Sequence, residues 1–386
     1  MGTSPRKHRK IRQRALRALV SFASWILFLA YPKKTVVGIQ PPRRILILNG
    51  AHIGDIVIST SIIPVLRSAY PSAEMGFVVG SWSSMVLKNH PEIAFLYCVD
   101  HWWQNRNGKS FLSRYLQYRR TYKVALRQIR ETHYDLALCL YPYYLPDFMN
   151  VAWRAGIPIR LGFDNSLFAS LASAAVEVPQ NPFLHQAAIQ AEVLRPLRLA
   201  QMHLEKRKAI LPESTDEAVR EVCRLVKVSN IMDARYRIVH IGTGARYREL
   251  PFEFWRKLAE TLSKEYTLVF TGSGAREETQ IAEIVDGLDH CVNACNSLSW
   301  NGFVAAVRYA EVLYGVESMA GHVAAALGTR SIVVYAGAAG VARWRPDGAV
   351  TVLTNNVECA PCNLPNGCES MACIRGIQPQ ELINEG

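Results

Sequence analysis

Arg43–Asn49 reads Arg-Arg-Ile-Leu-Ile-Leu-Asn and is closed by Gly50. An apolar run without polar alternation, bounded by turn residues, fits a strand buried on both faces. Parallel sheets covered by helices provide that environment. Met75–Val79, Phe95–Val99 and Asp135–Leu140 repeat the signal, and a helix is expected over Asp55–Tyr70, closed by Pro71. The pattern restarts near Tyr236. Strands are expected over Arg237–Ile241, Thr267–Thr271, Glu311–Gly315 and Ser331–Tyr335. Gly242-Thr243-Gly244 and Gly272-Ser273-Gly274 form the first two turns, and a helix over Pro251–Ser263 opens on proline. Residues 141–185 show weak periodicity, and the charged stretch Glu205–Asn230 reads as linker plus helix. The fold class is α/β, with two Rossmann-like domains facing a cleft. The expected division is 1–42 tail, 43–205 first domain, 206–235 linker and 236–386 second domain.

Charge locates the tail. The 386 residues carry +12, but eleven of the 44 Lys and Arg lie in residues 1–44, which hold no Asp or Glu. The rest of the chain is therefore close to neutral, and nucleic acid is not expected as a partner. Basic residues from Arg6 to Arg17 precede the uncharged stretch Ala18–Tyr31, too short to span a bilayer. A helix at an anionic membrane surface, inserting Phe22, Trp25 and Phe28, is the leading expectation. A helix packed on the protein's own core and a signal-anchor are the alternatives. No run of 18 uncharged apolar residues occurs, which excludes a polytopic membrane protein.

The segment from Ile45 to Val57, containing Asn49-Gly50-Ala51-His52-Ile53-Gly54-Asp55, resembles the opening of the heptosyltransferase-type glycosyltransferases, family 9. Glu317-Ser318-Met319-Ala320-Gly321-His322, continuing to Gly328-Thr329, is similar to that family's donor-site segment. Arg345-Pro346 and the closing cysteines also fit. The resemblance covers roughly residues 43–378 and implies a GT-B fold. It further implies inverting transfer from a nucleotide-diphospho-sugar, usually ADP-heptose, to a glycolipid or related glycan such as the lipopolysaccharide core. By motif, Asp55 would be the base, Glu317 and His322 donor-site residues, and Arg248 the phosphate-binding cation. The chain departs from the pattern at Glu317 for Asp, Arg248 for Lys and Met319 for Gly.

Inverting transfer needs a base to take the acceptor hydroxyl's proton. A carboxylate in the turn after a first strand faces the crevice of an α/β sheet, where Asp55 lies; its alternative role is to cap the helix. The leaving diphosphate calls for helix N-terminal N–H groups and a guanidinium. Thr243, Gly244 and Ser318 are candidates, with Arg248 as the cation and Arg246 as its rival. Gly272 and Ser273 could line the nucleotide site. Glu317 could accept from sugar or ribose hydroxyls or serve only as a capping acid, and His322 could donate to phosphate or merely pack.

Cys359, Cys362, Cys368 and Cys373 lie within 15 residues in a turn-rich segment. Four thiolates suit a structural zinc or iron, with reduced thiols or disulfides as alternatives. Cys98, Cys139, Cys223, Cys291 and Cys295 read as core residues. The resemblance implies catalysis without a metal, and no Asp-x-Asp pair of the kind that holds a catalytic cation occurs. Residues 101–123, basic and aromatic, and Tyr141–Asp147 are the candidate acceptor surface, with an ordinary amphipathic helix and its solvated charged face as the alternative. The leading reading is a glycosyltransferase, cytoplasmic and peripheral on the inner membrane face. A catalytically inactive nucleotide-sugar-binding scaffold is the alternative. A Rossmann dehydrogenase is disfavoured because no Gly-x-Gly-x-x-Gly follows Ile45–Leu48.

Overall fold

In the computed structural model, Arg44–Leu48 forms β1, and Ile45, Leu46 and Ile47 are fully buried. The structure describes residues 40–386 apart from 107, 109, 142–147, 338, 339, 363 and 365. The tail up to residue 39 therefore lies outside the described residues, as do residues 142–147 of the expected acceptor surface. The chain divides into two units. The first holds the chain up to Gln180 with Ala187–Lys208, and the second holds Asn181–Gln186 with Ala209–Gly386.

In the first unit, β1 is joined by β2 (Glu74–Val79), β3 (Ile93–Cys98), β4 (Leu136–Cys139), β5 (Ile159–Phe163) and β6 (Ala174–Val176). The sheet order is β3-β2-β1-β4-β5-β6 and the pairings are parallel. The chain runs outward from β1 to β3 and then returns to the other side of β1 as β4. The switch point, where ligands bind in such sheets, thus lies between β1 and β4. The single helix expected over Asp55–Tyr70 is two: α1 (Ile53–Ser59) and α2 (Ile62–Ala69). Pro64 explains the interruption, because it has no N–H to give to the Thr60 carbonyl of a continuous helix. The Thr60 hydroxyl instead donates to the Val57 carbonyl, at 2.7 Å. The long α3 (Phe111–Thr132) starts at Ser110, whose hydroxyl accepts from the Ser113 N–H. Tyr122, Ala125 and Ile129 bury its inner face.

The second unit repeats the plan. Its strands are β7 (Tyr236–His240), β8 (Thr267–Thr271), β9 (Cys291–Asn293), β10 (Val312–Val316), β11 (Arg330–Val334) and β12 (Val350–Leu353). The order β12-β11-β10-β7-β8-β9 puts the switch point between β7 and β10. The helices used below are α4 (Asp216–Val226), α5 (Phe252–Leu262), α6 (Ala275–Val285), α7 (Trp300–Tyr309) and α8 (Met319–Leu327). The stretch read as linker plus helix holds α4, whose Glu221 carboxylate accepts from the Ser299 N–H and hydroxyl at the start of α7. Trp255 on α5 is 2% exposed and packs with Leu258, Phe270 and Ile281. Burying a side chain of this kind stabilises by roughly 1.5–3 kcal/mol.

Candidate functional site

Asp55 lies in the first turn of α1, just beyond the turn that follows the central strand β1. The turn is held from several sides. The buried Asn49 amide donates to the Ser59 hydroxyl at 2.7 Å, and its carbonyl oxygen accepts from the Ala51 N–H at 3.1 Å. The Trp82 indole N–H donates to the Ala51 carbonyl at 2.9 Å. A Cβ at Gly50 would run into the Phe148 ring, so only glycine lets the turn lie against it. Asp55 itself is the third residue of α1, half-buried, and one carboxylate oxygen accepts from the His52 N–H at 3.3 Å. The helix cap is therefore His52, with Asp55 completing a capping box. Burial pushes His52 down to about 4, with Arg106 adding and Gln104 opposing. Its Nε2 is buried without a partner among the described residues. His52 is thus a neutral imidazole at pH 7, three residues before the candidate base.

In the second unit, the switch point brings together residues far apart in sequence. The turn after β7 carries Thr243 and Gly244 and runs into Arg246–Arg248. Glu317 and Ser318 follow β10. The Thr243 hydroxyl donates to the Glu317 carbonyl at 3.0 Å, and Arg248 Nη2 lies 3.2 Å from Glu317 Oε1. The Glu317 carboxyl is 7% exposed and its Oε2 has no partner. Burial raises it from 4.5 to about 7, opposed by Arg248 and the Ala336 N–H. A carboxyl this costly to ionise neutralises its guanidinium only in part. Between the two candidate arginines, Arg248 is therefore the one paired at the switch point.

Ser318 caps α8 and its hydroxyl accepts from the Ala320 N–H at 3.4 Å. The N-terminus of a helix suits an anion, because its first N–H groups have no partner within the helix. His322 lies in its second turn. Burial pushes it down to about 4, with His185 adding to that effect. It can therefore donate one hydrogen bond as neutral imidazole, without a charge of its own.

The turn of Gly272 and Ser273, the residues expected to line a nucleotide site, directs backbone N–H groups toward side chains of the second unit. The Ser273 N–H donates to Glu277 Oε2 at 2.9 Å, and the Gly274 N–H donates to the Asn296 side chain at 2.7 Å. The turn thus already holds a carboxylate. A Cβ at Gly242 would come within 2.5 Å of Glu277 Oε2, and one at Gly272 within 2.7 Å. Burial raises Glu277 above its ordinary value, opposed by the Ser273 N–H and Arg276. It borders a shallow hollow of about 20 Å³ lined also by Gly242, Glu249, Leu250, Trp255 and Arg276. Sequence reasoning missed Glu277, whose position in the first turn of α6 looks like ordinary helix-end charge.

The four clustered cysteines do not form the expected metal centre. They line one small pocket with Gly337 and Met371, yet Cys359 and Cys368 are exposed while Cys373 is turned into the core. Among the described residues no three His, Cys, Asp or Glu are arranged to hold a metal ion. All nine cysteines are free thiols. Cys139 and Cys295 are buried, whereas Cys98, Cys223 and Cys291 are half-buried. No helix among the described residues is long and apolar enough to cross a membrane.

The family model for glycosyltransferase family 9 (heptosyltransferase) matches residues 123–368. The lipopolysaccharide heptosyltransferase 3 of Escherichia coli is 22% identical over 317 residues, spanning 76% of this chain and 83% of that protein. A family 9 glycosyl transferase from Veillonella parvula superposes with a TM-score of 0.73 at 20% identity, covering 89% and 95% of the two chains. The ADP-heptose lipopolysaccharide heptosyltransferase II of Escherichia coli gives 0.67 at 19%, covering 89% and 98%. The two six-stranded parallel sheets and these likenesses establish the GT-B fold.

Proposed function

This chain belongs to glycosyltransferase family 9, the heptosyltransferase family, and is a glycosyltransferase; from that premise we propose that it transfers heptose from ADP-heptose to a lipopolysaccharide-core or related glycan acceptor, with inversion and with Asp55 as base. The observation that carries the reading is the switch-point group Arg248, Glu317 and Ser318 in the second unit. Heptosyltransferase II, which this chain resembles, is described as an ADP-heptose enzyme.

The chemistry follows from the groups present. The acceptor hydroxyl oxygen attacks the anomeric carbon, its proton passes to the Asp55 carboxylate, and the bond to the diphosphate oxygen breaks. Negative charge grows on the leaving diphosphate. Arg248 meets it with a planar fork able to bind two phosphate oxygens, and the N-terminus of α8 adds N–H groups and dipole. Because Glu317 sits near 7 rather than 4.5, Arg248 keeps net positive potential for phosphate. Thr243 and Gly244 flank that position, and neutral His322 is placed to donate a hydrogen bond from α8. Glu277, rather than the Gly272–Ser273 backbone, is the acceptor suited to sugar or ribose hydroxyls.

Membrane attachment through the basic tail, on the inner face, completes the reading, because a lipid-linked acceptor stays at a membrane. Four-thiolate metal binding plays no part in it. The alternative of an inactive nucleotide-sugar-binding scaffold is kept by Glu317, Arg248 and Met319 at positions where the family pattern differs.

Calorimetric titration of ADP, UDP, GDP and ADP-heptose into wild type and Asp55→Asn tests the proposal together with a turnover assay. Selective binding of ADP and ADP-heptose by both proteins, with turnover lost only in the variant, is expected. Preference for UDP or GDP would overturn the donor. Full turnover in Asp55→Asn would remove Asp55 as the base, and ligand binding without turnover in wild type would favour the scaffold.

A further inference from the structure

The outer face of α3 is the most unusual surface of the first unit. Its inner face packs on the core through Tyr122, Ala125 and Ile129. On the outer side, the first two turns leave Leu112 65% and Leu116 59% exposed, and at the helix start Phe111, on the same side as Ile129 by helical spacing, is still 57% exposed. The preceding loop adds Trp103 at 47%. Single exposed apolar residues need no explanation, but a contiguous group does. The rings also support one another. Trp102 packs edge-on against Trp103 at 5.7 Å and against Phe111 at 5.4 Å, and Phe111 stacks on Tyr115 at 6.2 Å. The Arg114 guanidinium ties this loop to the helix by donating to the Trp102 and Asn105 carbonyls, at 3.3 and 3.1 Å.

Further along the side that carries Leu112 and Leu116 the side chains become basic. Arg119, Arg120, Lys123 and Arg127 are all exposed. Over its full length α3 has six Arg or Lys and one acid, Glu131, which pairs with Arg127 at 3.7 Å. Among the described residues Arg119, Arg120 and Lys123 enter no salt bridge. Apolar and aromatic turns followed along one axis by basic turns match the layers of an anionic bilayer, acyl boundary first and headgroups next. From Phe111 to Leu116 the helix rises only about 8 Å, comparable with the 5–10 Å to which interfacial helices bury their apolar side.

We propose that the outer face of α3, with Trp103, is a docking surface for an anionic lipid bilayer. Trp103, Phe111, Leu112 and Leu116 enter the interface, while Arg119, Arg120, Lys123 and Arg127 lie among the anionic headgroups. Charge decides against a second copy of the chain. An antiparallel two-fold contact through this face would set the apolar turns of each copy against the basic turns of its twin, and a parallel one would set basic turns against basic turns. The inference stands apart from the transfer reading, since vesicle binding is measured without donor or acceptor.

The test uses the full chain, so the tail is common to every variant. Co-sedimentation with phosphatidylcholine vesicles, with and without phosphatidylglycerol, gives the partition constant. Arg119→Gln/Arg120→Gln/Lys123→Gln is expected to lower partition to anionic vesicles by roughly a hundredfold, from about fivefold per charge near the surface. Phe111→Ser/Leu112→Ser/Leu116→Ser is expected to lower it too. Brominated lipids are expected to quench wild-type fluorescence, and Trp103→Phe to remove part of that quenching. All substituted side chains are exposed, and an unchanged thermal transition checks that the fold is kept. Unchanged partition in both triple variants would overturn the proposal, as would quenching that does not depend on Trp103. Loss of self-association in the apolar variant, with vesicle binding intact, would overturn it in favour of a second copy.

Discussion

Glu317→Gln should make the second unit more stable above neutral pH. The Glu317 carboxyl is buried, and its value rises from 4.5 to about 7 despite Arg248 at 3.2 Å. The folded protein therefore holds a proton that the unfolded chain releases near 4.5. Between those values the folded state binds more protons, so stability falls as pH rises. The shift of roughly 2.5 units, at 1.36 kcal/mol each, gives about 3 kcal/mol lost between pH 4.5 and 7. Glutamine cannot ionise and avoids this loss. Near pH 4 the two proteins should be equally stable. At pH 8 the variant should lead by about 3 kcal/mol, or about 6–12 °C in the transition of a unit this size. Burial holds His240 and His322 at about 4, so both cost stability as pH falls, but they do so equally in both proteins and cancel in the difference. Scanning calorimetry at pH 4 and pH 8, with hydrogen exchange at the β7 and β10 amides to locate the effect, gives the readout. A variant no more stable than wild type at pH 8 would refute the reasoning. It would mean that Glu317 is an ordinary ionised partner of Arg248 and that the buried pair carries its own desolvation cost.

Other outcomes follow from the same geometry. Leu46→Ala, at a fully buried position in β1, should cost about 2–5 kcal/mol in urea denaturation of the first unit. Tyr236→Phe removes the hydroxyl that donates to the Ala306 carbonyl at 2.7 Å and should cost about 1–3 kcal/mol by the same assay on the second unit. Gly242→Ala should push Glu277 off the Ser273 N–H and be less costly when Glu277 is already alanine. The double-mutant cycle should give a coupling of about 0.5–3 kcal/mol, and additive values would exclude the contact. Arg248→Ala should weaken ADP binding measured by calorimetry or slow turnover, whereas Arg246→Ala should do neither.

What could be read from the sequence follows from the range of each interaction. β8 was expected at the bounds found, and β1, β7, β10 and β11 within a residue, because each is a dense apolar run that must be buried on both faces. β6 and β9 were missed, being three residues each, too short for a pattern to stand out, and β5 and β6 lie in a stretch without clear periodicity. The break between α1 and α2 was overlooked although Pro64 marks it. The site divides in the same way. The place of Asp55 in the chain, at the start of the helix after the central strand, was legible because it is a local signal, and the pairing of Arg248 with Glu317 joins two motifs already singled out. Glu277 was not. Parallel pairing of β7 with β8 sets His240 opposite Thr271 and so lays the Gly242 turn beside the Gly272 turn. One carboxylate from α6 then fills the space that both glycines leave open. Two glycines thirty residues apart serve a single side chain, and that relation exists only once the strands have paired. A Gly-Ser-Gly turn by itself promises an open set of N–H groups; which anion fills it depends on the helix that follows.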